Sequence, residues 1–333
     1  MISFDQAVTI VGEAAQPLGA ERIAIGEAHR RVLAEAVVAR LDSPPSDVSA
    51  MDGYAVREED LLLLPARLRV IGESFAGAGF ESAVQPGSCV RIFTGAPVPR
   101  EADRVVIQEV VRREDDIAVI EEYPGPSKHV RARGSDFVEG ALHLEPGTRL
   151  GYRQQVAAAG ADLAELAVWK RPRVIILGTG AELAPPGMAA ERRGAIPESV
   201  TFGIAALAEE WGASVIERIH LPDDLEAMEK VAARSLEEAD LVIVTGGASV
   251  GEKDFAKAMF EGQGLELLFS KVAIKPGKPV WLGRARDRLV IGLPGNPTSA
   301  LVTARLLLAP PGMAAERRGA IPESVTFGIA ALA

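Results

Sequence analysis

The chain's 333 residues carry 46 acidic against 36 basic side chains, a net charge of −10, with 48% apolar and 25% charged residues. That is the balance of an ordinary globular chain with room for two or three domains. It excludes an electrostatic nucleic-acid surface, and no dense Lys/Arg run contradicts this.

A single cysteine, Cys89, excludes internal disulfides and thiolate zinc sites and suits a reducing compartment. No apolar run approaches membrane-spanning length, and the start MISFDQAV lacks a basic region followed by an apolar core. A cytoplasmic protein with no membrane or nucleic-acid partner is expected.

Ser3 caps a predicted helix whose apolar residues Phe4, Ala7, Val8 and Val11 share a face. A second helical pattern covers 26–39, with Ala28, Val32, Leu33, Ala36 and Val37 inward. Ser43-Pro44-Pro45-Ser46 then breaks regular structure, and Asp52-Gly53 in SAMDGYAV (49–56) is a turn pair. From about 67 to 122 the pattern is short alternating strands with turn punctuation (ARLRVIGES, SCVRIFTG, DRVVIQEVV, IAVIEEY), a small β domain or barrel.

Within that stretch Thr94-Gly95-Ala96-Pro97-Val98-Pro99 is a stiff turned loop, and Val130–Asp136 sets two arginines beside a Gly-Ser turn and Asp136. Residues 152–168 read as a helix, a Gly160 turn and a short strand.

From Arg171 strands and helices alternate. Strands are expected at 174–177, 214–219, 241–244 and 289–291, and helices at 199–211, 223–239, 253–263 and 298–308. This succession predicts a doubly wound parallel sheet with helices on both faces. Leu241 to Val244 show no alternation, so that strand needs cover on both sides.

Three glycine-containing loops follow strand ends: 178–183, 245–251 and 292–297. Such loops face one crevice, where open α/β sheets bind ligands. Glycines let backbone N–H groups approach an anion, and Thr245 and Ser249 add hydroxyls, with Glu252 and Asp254 just beyond. The segment 270–279 places Lys271, Lys275 and Lys278 around a Pro/Gly turn. In an acidic chain, cations presented by a rigid turn form an anion seat.

Leu308 to Ala333 repeats Leu183 to Ala208 without a difference. Solenoid repeats diverge and come in series, so this single perfect copy reads as an artefact of duplication without function.

Taken together, SAMDGYAV, FTGAPVP, RGSD, GTGAEL, TGGASVG, KVAIKPGKP and GLPGNPTSA resemble the molybdopterin molybdenumtransferase family, which includes the gephyrin E domain. The resemblance covers about residues 1–308. It implies a multidomain α/β protein: an elongated, discontinuous N-terminal domain (1–45 and 137–170), an inserted β domain (46–136) and an α/β molybdopterin-binding domain (171–308). The family continues into a C-terminal β domain; here the duplicate, 309–333, follows instead.

The implied reaction takes adenylylated molybdopterin and molybdate, inserts the metal at the dithiolene and releases AMP, with Mg²⁺ required. A homodimer is implied, with the molybdopterin adenylyltransferase as a possible partner.

Site residues carry over as follows. Asp52, Thr94, Asp136, Lys271 and Lys275 match catalytic positions. Thr245, Gly246, Gly247, Ser249, Gly251, Lys278, Pro294 and Pro297 serve pterin binding, and Glu182, Asp223 and Asp254 the metal.

The chain departs from the family at Ala181, where many members have Asp, and at 197–200, where an Asp-Ser-Asn type sequence is usual and Glu198 stands in for the acid. An adenylyltransferase sharing the α/β domain, or a catalytically weak scaffold, are the alternatives. SAMDGYAV and the β insertion oppose the first.

Overall fold

The computed structural model describes residues 1–246 and 255–308. Two compact units form: Met1–Glu35 with Pro146–Gly151 and the chain from Glu165 onward, and Ala36–Glu145 with Tyr152–Ala164.

The first unit is built on a six-stranded sheet. Its strands in chain order are β1 (Arg173–Thr179), β2 (Ser214–Leu221), β3 (Leu241–Thr245), β4 (Glu266–Phe269), β5 (Trp281–Ala285) and β6 (Arg288–Leu293), arranged β2-β1-β3-β6-β5-β4. β2, β1, β3 and β6 are parallel, as expected from the strand–helix alternation. The far edge differs: β5 and β4 run antiparallel. Neither was legible as a strand, because Glu266–Phe269 has no period-2 pattern and Trp281–Ala285 is interrupted by Gly283 and Arg284.

Alternate residues of the central strands serve opposite layers, as the strand repeat requires. Val174, Ile176, Ile243 and Ile291 enter a core shared with α1 (Phe4–Ala14), α2 (Val200–Glu210) and, further along the chain, Ala300, Ala304 and Leu307. Ile175, Leu177, Val242, Val244 and Val290 enter the other, closed by Met228, Ala232 and Leu236 of α3 (Leu225–Glu238) and by Ala256 of α4 (Phe255–Ala258). Because both faces are covered, the strands are continuous apolar runs.

The helix ends are specified locally. Ser3 and Gln6 form a reciprocal capping box on α1. Asp224 caps α3 by accepting from the Ala227 N–H. Asn296 caps α5 (Pro297–Leu307), with Pro297 at its first position, where the missing N–H costs nothing.

The helix expected over 253–263 is shorter within the described residues. It is α4 followed by a 3-10 turn, Glu261–Gln263, ending at Gly264 in the left-handed region. The helix expected over 26–39 does not form: Ile25–Glu27 is a single 3-10 turn and Val37–Val38 is a strand paired with Leu142–Leu144. Arg30 at φ +63° ends any helical path. Val32, Leu33 and Val37 are buried all the same, so apolar spacing satisfied the helical period without a helix.

The second unit carries its own six-stranded sheet. Its order is Arg104–Ile107, Gly53–Val56, Ser88–Ile92, Ala66–Ser74, Ile117–Ile120 and Val111–Glu114. Only Ala66–Ser74 with Ser88–Ile92 is parallel. The run DRVVIQEVV, read as one strand, is two, because Gln108–Val110 makes a 3-10 turn between them.

Candidate functional site

In the first unit the chain runs from β1 out to β2 and returns across β1 to β3, so the strand order reverses between β1 and β3. Ligands of open α/β sheets bind outside the carboxyl ends of the strands at such a point. A cleft of about 390 Å³ lies there, lined by Thr179, Gly180, Glu182, Thr245, Gly246, Pro294, Gly295 and Pro297 among others. The described residues of the three strand-end loops singled out in the sequence therefore meet.

They meet closely. A Cβ at Gly246, where φ is +90°, would lie 2.4 Å from the Thr179 carbonyl oxygen. One at Gly295 would lie 3.2 Å from the Gly246 Cα. The Gly246 N–H donates to the Leu293 carbonyl (3.3 Å), and the Thr179 hydroxyl to that of Thr245 (3.2 Å). Thr245 lines the cleft, but its hydroxyl turns to the Leu177 carbonyl (3.5 Å) inside the sheet.

Two carboxylates stand at the rim. Glu182 folds back over Gly180, whose missing side chain leaves the room: a Cβ there would be 2.9 Å from the carboxylate. Asp223 is exposed and lines the cleft, while its neighbour Asp224 caps α3. Asp223 is the acid that the resemblance assigned to the metal.

Residues that sequence reading had not assigned also line the cleft: Ile196, Pro197, Ser199, Val200, Met228, Phe255 and Ala256. Glu198 joins them. Its oxygens accept from the Thr201 N–H (2.9 Å) and hydroxyl (2.7 Å), so it serves as the cap that Ser199 does not provide. The signal was an acid three residues before a threonine at a helix start.

Gly247, Ser249, Gly251 and Asp254 lie outside the described residues. Among the described residues no three Asp, Glu, His or Cys side chains form a metal-holding group.

Lys271, Lys275 and Lys278 are exposed, and only Pro279 of their segment reaches the cleft lining. The backbone of that segment is tied to the N-terminus. Ile2 N–H donates to the Lys271 carbonyl (3.0 Å), and the Ala273 N–H donates to the Ile2 carbonyl (2.8 Å).

The remaining predicted residues belong to the second unit. Asp52 Oδ1 accepts from both the N–H and the hydroxyl of Thr94, each at 2.8 Å. These two bonds, the backbone one foremost, with the Arg91 charge, hold the Asp52 carboxyl below its ordinary range against a smaller desolvation effect. Asp136 is gripped by Arg131 Nη2 on both oxygens (2.6 and 2.8 Å) and accepts from Ser43 (3.3 Å).

Main-chain bonds stitch the three motifs together. Ser49 and Val48 pair with Val130 and Arg131, the Ser49 N–H donates to the Ala96 carbonyl (2.9 Å), and the Gly95 N–H to the Ser49 carbonyl (2.8 Å). SAMDGYAV, TGAPVP and VRARGSD, dispersed over 49–136, thus lie side by side.

A cleft at the switch point of a mostly parallel sheet, walled by strand-end loops, defines an α/β protein of the ligand-binding, doubly wound class. Residues 2–161 match the family model of the MoeA N-terminal region (domain I and II), and residues 175–312 that of a probable molybdopterin binding domain. The molybdopterin molybdenumtransferase of Haemophilus influenzae is 38% identical over 312 residues, covering 93% of this chain and 76% of that relative. Molybdopterin molybdenumtransferase 2 of Mycobacterium tuberculosis is 36% identical, covering 93% and 79%. A solved structure of the molybdopterin biosynthesis MoeA protein from Pyrococcus horikoshii has a TM-score of 0.78 at 28% identity, covering 92% of this chain and 77% of that one. The chain belongs to the molybdopterin molybdenumtransferase family, a family of transferases of molybdenum cofactor biosynthesis.

Proposed function

We propose that this protein inserts molybdate into adenylylated molybdopterin with release of AMP, and that the cleft between β1 and β3 seats the phosphate-bearing pterin. The observation that carries the reading is the meeting of residues 179–183, 245–246 and 294–297 at the switch point. Lys271 and Lys275 are the oxyanion contacts, for molybdate or the pyrophosphate, with Lys278 in support.

Glu182 and Asp223 are the chain's carboxylates for Mg²⁺, joined by Asp254. Magnesium is commonly held by one or two carboxylates together with substrate phosphates, so a rim pair suits it better than a closed protein cage. A cation held by these carboxylates would supply the positive charge that lets Glu182 and Asp223 stand beside a phosphate-bearing substrate. Asp52, paired to Thr94, presents an ionised carboxylate at neutral pH.

We further propose a cytoplasmic homodimer in which Asp52 and Thr94 of one subunit serve the cleft of the other, supplied with substrate by the adenylyltransferase. The test is single-turnover incubation with adenylylated molybdopterin, molybdate and Mg²⁺. AMP release that depends on molybdate is expected. ATP-dependent adenylylation of free molybdopterin, without molybdate-dependent AMP release, would replace this reading with the adenylyltransferase.

A further inference from the structure

In the second unit, Arg91 lies on the strand Ser88–Ile92, opposite Tyr54 in the antiparallel register with Gly53–Val56. Its guanidinium stands 5.1 Å from the Tyr54 ring centroid and 4.9 Å from that of Phe93. Phe93 in turn stacks on the exposed Phe75 at 4.7 Å, with the planes 10° apart. Arg91 Nη1 donates to the Gly53 carbonyl (3.0 Å), and its Nη2 donates to the Gln108 side chain. Gln108 closes the ring, for its own N–H donates to the Asp52 carbonyl (3.1 Å).

The turn is thus fixed on every side. Asp52 is held through its carbonyl by Gln108 and through its carboxylate by Thr94, and Gly53 by Arg91. Gly53 itself tolerates no side chain, since a Cβ would sit 2.1 Å from the Val106 carbonyl oxygen. One planar cation therefore ties the turn that bears Asp52 to the strand leading into Thr94.

We propose that Arg91 is a positioning residue, which fixes the Asp52–Thr94 pair by gripping Gly53 and Gln108 while Tyr54 and Phe93 hold its plane. A lysine cannot replace it: a single ammonium lacks the fork that reaches both acceptors and stacks poorly on the rings. The proposal's catalytic consequence rests on the function proposed above; its structural part does not.

The experiment compares Arg91→Lys and Arg91→Met with the wild-type full chain. Amide hydrogen exchange is read at Thr94, whose N–H binds Asp52, and at Val119 as a core control. Exchange at Thr94 should accelerate about tenfold or more with Val119 unchanged, since loosening the turn exposes that one donor. AMP release should fall in kcat with little change in the pterin KM. The double variant Arg91→Met/Asp52→Ala should be no slower than Asp52→Ala alone, because residues that act as one unit are not additive.

If Arg91→Met fails to fold, Arg91→Lys carries the same comparisons. Unchanged exchange at Thr94, or losses that add in the double variant, would overturn the positioning role. Full activity of Asp52→Ala would instead overturn the functional reading and leave the exchange result standing.

Discussion

Among single residues, Gly246 meets two demands at once. A positive φ and a Thr179 oxygen where its Cβ would stand leave no room for a side chain. Gly246→Ala should lower stability by more than about 1 kcal/mol and weaken pterin binding by displacing the loops. Calorimetric titration with pterin reads the second effect, and unchanged affinity would remove this glycine from the site.

Asp52 gives a pH signature. Its folded-state pKa is depressed by Thr94, so its stabilising contribution is present above the ordinary carboxylate pKa and is lost as pH falls through the lower, folded value. Carboxyl NMR should place its midpoint below about 3.9, the ordinary aspartate value, and Thr94→Val should raise it. Cys89 is the inert counterpart. Burial pushes its thiol up to about 12, so alkylation should require unfolding.

The start of α3 separates two adjacent acids by role. Asp224 caps the helix, while Asp223 lines the cleft. Asp224→Ala should cost about 1 kcal/mol of stability and leave turnover near normal. Asp223→Ala should do the reverse, with lower turnover and weaker Mg²⁺ dependence at unchanged melting temperature. Equal behaviour of the two variants, measured by thermal unfolding and AMP release, would refute this division of labour.

For the whole molecule, the chain's predicted residues fall in two units, Asp52, Thr94 and Asp136 in one and the cleft in the other. If sites are shared between subunits, mixing an Asp52→Ala chain with a Lys275→Ala chain should restore part of the activity. No recovery, with heterodimers demonstrated, would assign each site to one chain. The copy at 309–333 lies outside the described residues, and its deletion should leave pterin affinity intact.

What the sequence determined by itself is the set of local features. Unbroken apolar runs marked β1, β3 and β6, Ser3 marked a helix start, and glycines after strands marked the loops. These follow from nearest-neighbour geometry and burial period, which a short window records. The tertiary structure alone decided the rest.

The apolar period at 26–39 was satisfied without a helix, because Arg30 and distant strand partners prevailed over spacing. Glu198 as a cap is a local matter of Thr201 three residues on, but its place in the cleft wall came only with the sheet. Asp52 met Thr94, and Arg91 met Gln108, only when strands from separate parts of the chain came into register. Long-range pairing selects one partner among many that local chemistry permits, and no window of sequence contains that choice.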